Sequence, residues 1–139
     1  MNFDLILRRA RVGSSKLTSV DIGIVGGCIA EIAPTIQVEA PEKDLAGKFV
    51  VPGFVETHIH LDKSCILDRC TSEQGTLAEA IAEVAAAKRA FTEEDIFERA
   101  RRTLEKSILQ GTMRMRTHAE VDPRIGLKGF HAIKRLRKE

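Results

Sequence analysis

A chain of 139 residues is long enough for one domain with a core of its own. A hydrophobic share of 43 % excludes a disordered tail, and a net charge of +2 is too mild to argue for a nucleic-acid partner. No apolar run approaches the roughly 20 residues of a membrane span, so no membrane partner is expected. The first residues, Met-Asn-Phe-Asp-Leu-Ile-Leu-Arg-Arg, lack the basic-then-apolar order of a signal peptide. Cys28, Cys65 and Cys70 are odd in number and form no Cys-x-x-Cys, which argues against a disulfide framework and for a reducing cytoplasm.

Residues 3–12 alternate loosely and predict a strand, with a turn at Gly13-Ser14-Ser15-Lys16. Val20–Val25 reads as a second strand, Gly26-Gly27 as a hairpin turn and Cys28–Ile32 as a third. A phosphate loop is the rival reading of Gly23, Gly26 and Gly27, weakened because no helix start follows. Pro34 and Pro41 bound a polar stretch ahead of Lys48-Phe49-Val50-Val51. Short strands with tight turns predict a small β-sheet unit over residues 1–50.

Pro52-Gly53 then leads into Phe54-Val55-Glu56-Thr57-His58-Ile59-His60-Leu61-Asp62, a strand by its alternation. Phe54, Glu56, His58 and His60 fall on one face. Two residues of strand rise put the His58 and His60 backbones roughly 7 Å apart. Both imidazoles can then lean onto one metal ion. Two polar side chains on a solvated face are the plainer account of the same pattern. Leu61 to Gly75 is irregular and carries Asp62, Lys63, Cys65, Asp68, Arg69 and Cys70.

A helix opens at Thr76, with Glu79 completing a capping box, and carries Leu77, Ile81 and Val84 as its stripe. Lys88-Arg89 suit its carboxyl end. A second helix starts at Thr92, stapled by Phe91 and Ile96, lined by Ile96, Ala100, Leu104 and Ile108, and ended by Gly111. Thr112–Val121 alternates again, with Arg114, Arg116, His118 and Glu120 on one face. Pro123 suits the start of a third helix through Leu127, Phe130, Ile133 and Leu136, whose Lys134, Arg135, Arg137 and Lys138 read as a solvated face. Strand, helices, strand, helix is a βαβα order and predicts parallel pairing. In adjacent parallel strands Glu56 and Arg116 would meet at similar depth.

Pro-Gly-Phe-Val-Glu-Thr-His-Ile-His-Leu-Asp-Lys (52–63) resembles the first barrel strand of the amidohydrolase superfamily, and its Leu-Asp-Lys exit is similar to the cytosine deaminase branch. Gly23–Ile32 resembles the amino-terminal β-sandwich piece that precedes the barrel in that superfamily. Arg-Thr-His-Ala-Glu-Val-Asp-Pro (116–123) resembles the second strand of cytosine-deaminase-like enzymes, with Ala119-Glu120 where Val-Asp is usual. The resemblance implies an α/β fold: the amino-terminal part of a (β/α)8 barrel, preceded by a small β-sandwich portion. Residues 1–50 would be the sandwich portion and 51–139 the first two βα units, since a whole barrel takes about 250 residues. It implies that His58 and His60 ligate a divalent metal ion, Zn or Fe, and that Lys63, His118 and Glu120 contact substrate or support the ligands. The remaining ligands and the acid–base residue would lie beyond Glu139.

The implied function is metal-dependent hydrolysis of a C–N bond in a small heterocycle, a cyclic amidine or amide, most specifically a deamination like that of cytosine. A homo-oligomer is compatible with it. Residues 1–139 alone would then be inactive and prone to aggregate. Two alternatives stand beside this reading. One is a small non-enzymatic zinc module using His58, His60, Cys65 and Cys70; the other is a non-catalytic truncated interaction protein.

Overall fold

Alternating apolar residues and tight glycine turns build a four-stranded sheet in the first part of the chain. The computed structural model describes residues 2–13, 19–71 and 73–139. They divide into two compact units, Met1–Pro52 and Gly53–Glu139. In the first, strands β1 (Leu5–Ala10), β2 (Val20–Val25), β3 (Cys28–Ala33) and β4 (Glu42–Asp44) lie in the order β3-β2-β1-β4. β2 pairs antiparallel with β1 and β3, and β4 pairs parallel with β1. Gly26 and Gly27 take positive φ of 58° and 75°, the mirror-image turn that a two-residue hairpin needs. From Ser14 on, the turn expected at Gly13–Lys16 falls outside the described residues.

Phe3, Ile6 and Ile36 form the core of this unit. Asp21 is buried in β2: it pairs with Arg8 at 2.7 Å and accepts from the Ile36 and Arg9 amides, both at 3.1 Å. With the Arg8 guanidinium donating to the Ile36 carbonyl, that pins Ile36 to β1 and β2. β4 is polar and exposed, and its Glu-Lys-Asp sequence gave no strand signal. It is held by register with β1 and by Arg8–Glu42 and Arg9–Asp44 ion pairs.

The second unit pairs β5 (Phe54–Ile59) with β6 (Thr112–Thr117) in parallel, as the βαβα order predicts. Between them run α1 (Leu77–Ala87) and α2 (Glu93–Leu109); α3 (Lys128–Leu136) follows. Both expected N-caps form. Thr76 accepts from the Glu79 amide at 3.2 Å, and Thr92 from the Asp95 amide at 3.1 Å. Glu79 also reaches back to the amides of Glu73, Gln74 and Gly75, holding the approach to α1. The staple residues Phe91 and Ile96 are fully buried, and Gly111 follows α2 at φ 93°.

Leu61, Ile66, Phe91, Ile96, Phe97, Ala100, Ile125, Ala132 and Leu136 make the core, with Ile59 and Met115 packed on it from the strands. Arg99 lies inside it, 1 % exposed. Its guanidinium stacks 4.4 Å from the Phe91 ring centre and donates to the Ser64 and Asp62 carbonyls at 2.7 and 3.2 Å. Its charge is met by Asp95 at 3.1 Å, which also takes Arg69 at 2.6 Å. Among the described residues no helix is long and apolar enough to cross a membrane.

Several expectations need correction. β5 ends at Ile59, and Leu61–Lys63 turns into a 3-10 helix, so His60 stands just past the strand. Of the α1 stripe, Leu77 and Ile81 remain exposed while Val84 packs on the core. α3 starts at Lys128, because Asp122 accepts from the Arg124 and Ile125 amides and makes Pro123 part of a turn. It buries Gly129, Ala132 and Leu136 and exposes Phe130, with Gly129 lying against Asp62 and the Glu120 carbonyl. Glu56 does not meet Arg116: β5 and β6 slip in register, and Glu56 accepts from the His58 amide at 2.8 Å.

Candidate functional site

Ile59 and Met115 pack on the helical core, so His58, next to Ile59 within β5, turns the other way. His58 comes from β5 and His60 from just beyond its end; His118 follows β6. Their rings converge: 5.7 Å between His58 and His60, 4.5 Å between His58 and His118, and 5.1 Å between His60 and His118, the last pair nearly stacked. Thr117 holds the two strand ends together, its hydroxyl donating to the Ile59 carbonyl at 3.2 Å and accepting from the Leu61 amide at 3.1 Å. The His118 amide adds a bond to the same Ile59 carbonyl at 2.8 Å.

Lys63 and Glu120 meet beside these rings. Glu120 Oε2 lies 3.0 Å from Lys63 Nζ and 2.5 Å from Lys88 Nζ. Lys88 also reaches Asp122 at 3.2 Å. The bond from Lys88, aided by Lys63, holds the Glu120 carboxyl below its usual range. Burial pulls the Lys88 ammonium down, and its bonds to Glu120 and Asp122 more than offset this, leaving it raised. Both groups are therefore charged at neutral pH. A cleft of about 270 Å³ adjoins them, walled by Ala80, Ile81 and Val84 of α1. Burial, then the positive charge of Lys63, lowers the His60 pKa, which favours the neutral imidazole.

The five residues singled out in the sequence thus fall into one neighbourhood: His58, His60 and His118 as a trio of rings, Lys63 and Glu120 as an ion pair. Asp62 joins the two groups, its Oδ2 accepting from the Glu120 amide at 2.8 Å. Sequence reasoning missed Lys88, read there only as a helix-end charge, and gave no role to Asp62. Nothing in the spacing of Lys88 could have shown its partners.

Neutral imidazoles are suitable donors to a divalent ion of the Zn or Fe type. Among the described residues, however, no group of three His, Cys, Asp or Glu is arranged to hold a metal. The rings match such an ion in kind but do not amount to a full ligand set. The zinc-module alternative fares worse. Cys65 is exposed with Sγ 3.4 Å from Thr103 Oγ1, and Cys70 packs against the helical core, so neither joins the His pair.

Comparison with known proteins places these features in context. The family model described as "Amidohydrolase family" matches residues 42–136. The N-isopropylammelide isopropyl amidohydrolase of Pseudomonas sp. (strain ADP) is 33 % identical over 99 % of this chain and 36 % of its own length. Among solved structures, 5-methylcytosine deaminase from Klebsiella pneumoniae, liganded with 5-fluorocytosine, superposes with a TM-score of 0.83 at 28 % identity, over 96 % of this chain and 33 % of that one. N-isopropylammelide isopropylaminohydrolase from Burkholderia multivorans gives 0.76 at 28 % identity, over 99 % and 34 %. The chain spans about a third of the length of these relatives.

Proposed function

Because the chain belongs to the amidohydrolase family, we propose that it is the amino-terminal portion of a metal-dependent hydrolase that cleaves a C–N bond in a small heterocycle, with deamination of a cytosine-like ring as the specific reaction. On this reading residues 1–50 belong to a β-sandwich portion, and residues 51–139 are the first two βα units of a (β/α)8 barrel. The observation that carries it is the meeting of the His58, His60 and His118 rings at the ends of two parallel strands. In such barrels, chemistry gathers where the strands end.

His58 and His60 would hold the divalent ion, Zn or Fe, with further ligands supplied from beyond Glu139. The chemistry a bound ion supplies is water activated as a nucleophile near neutral pH. The chain's own residues set the surroundings. Lys63 and Glu120 present a fixed cation and anion beside the rings, suited to the polar edge of a heterocycle. His118 stands against both other rings and limits where a substrate can lie. The acid–base residue that protonates the departing nitrogen is expected in the later part of the barrel, so residues 1–139 alone should release no ammonia.

Metal content of the full-length protein tests the reading. His58→Ala and His60→Ala should each lose most of the bound metal and all C–N hydrolysis. A full equivalent of metal in either variant would falsify the ligand assignment. Ammonia release from residues 1–139 alone, abolished by His58→Ala, would instead point to a complete site assembled from several copies.

A further inference from the structure

Asp62 is 1 % exposed, and its two carboxylate oxygens have different fates. Oδ2 accepts from the Glu120 amide at 2.8 Å, while Oδ1 is buried with no hydrogen-bond partner. His60 Nδ1 is also buried and also unpartnered, and it lies 3.7 Å from Asp62 Oδ1. Two orphaned polar atoms facing each other are costly unless they share a proton. The surroundings hold the carboxylate in place. α3 packs against it at Gly129, where a Cβ would stand 3.4 Å from Asp62 Cβ, and Arg99 donates to the Asp62 carbonyl at 3.2 Å.

We propose that Asp62 is a positioning residue for His60: Oδ1 accepts a proton carried on Nδ1, which fixes the ring's orientation and leaves the lone pair on Nε2. A carboxylate behind a ligating imidazole does this in metal sites generally, setting the tautomer and raising the ligand's basicity. Because Oδ2 is anchored to the Glu120 amide, the exit of β6 sets the position of a ring that follows β5. The inference rests on the reading of His60 as a metal ligand, but its central measurement needs no metal.

The test is the tautomer of the neutral His60 ring, read from long-range ¹H–¹⁵N correlations in ¹⁵N-histidine-labelled protein without metal. His60 should carry its proton on Nδ1 in the parent. In Asp62→Asn that preference should be lost while the spectra of His58 and His131 stay unchanged, a pattern that general loosening of the fold would not give. Zinc affinity, measured by competition with a chromophoric chelator, should fall about 10–100-fold in the same variant. A proton on Nε2 in the parent overturns the proposal, and that reading decides the matter even if Asp62→Asn does not fold. An unmoved His60 tautomer in a folded Asp62→Asn protein also overturns it, whatever happens to zinc. Undiminished zinc binding by His60→Ala would instead sink the ligand reading and leave the tautomer result standing on its own.

Discussion

Lys88 Nζ lies 2.5 Å from Glu120 Oε2, so the turn that ends α1 is tied to the segment leaving β6. The lysine side chain is only 8 % exposed and pairs with both Glu120 and Asp122, so removing it takes away two charge contacts at once, although Glu120 keeps Lys63 at 3.0 Å. Lys88→Met should therefore cost about 3–5 kcal/mol. Glu120→Gln should cost less, about 1.5–3 kcal/mol, because Lys88 keeps Asp122 as a partner. Urea denaturation of both variants checks the order; equal losses would mean that Asp122 does not share the charge.

Asp95 should make the second unit sensitive to acid. Its bond to Arg69, with Arg99 contributing further, holds the carboxyl below its ordinary value. The folded pKa is depressed, so the stabilisation is fully present above the unfolded value, about 3.9, and is lost as pH falls through the folded one. Asp95→Asn should be less stable than the parent at pH 7, and the gap should narrow below about pH 4. Thermal unfolding between pH 2.5 and 7 measures this, and a gap independent of pH would exclude the ion pairs as its source.

Gly23 sits inside β2, where a glycine would otherwise be a weak choice. A methyl group there would overlap the buried Phe3 ring. Gly23→Ala should therefore destabilise the first unit by about 1–3 kcal/mol through overpacking. Combined with Phe3→Ala, the two changes should be non-additive, coupled by about 0.5–3 kcal/mol. Strict additivity would place the strain elsewhere.

Much of the fold was legible because the signals were local. The bounds of β2, the Gly26-Gly27 turn and the caps at Thr76 and Thr92 depend on residues within four positions of one another. The His58–His60 pair stood out for the same reason. What was not legible depends on residues far apart in sequence. The burial of Arg99 requires Phe91, Asp95 and the Asp62 and Ser64 carbonyls together, and a charged residue on a helix gives no hint of such a cage. The exposed β4 exists by register with β1 and not by composition. In α3, small residues set the buried face, so counting large apolar ones selected Phe130 wrongly.

The bonds at the strand ends have a consequence for how the site comes into being. Thr117 to Ile59 and Glu120 to Asp62 each span 58 residues of chain. Bringing such distant residues together carries one loop-closure entropy cost, which grows only slowly with loop length. Once the first of these bonds closes, the others add almost none. The contacts around the imidazoles should therefore form and open together. In hydrogen exchange, the Leu61, His118 and Glu120 amides should open as one cooperative group, at a free energy well above that of the α1 amides.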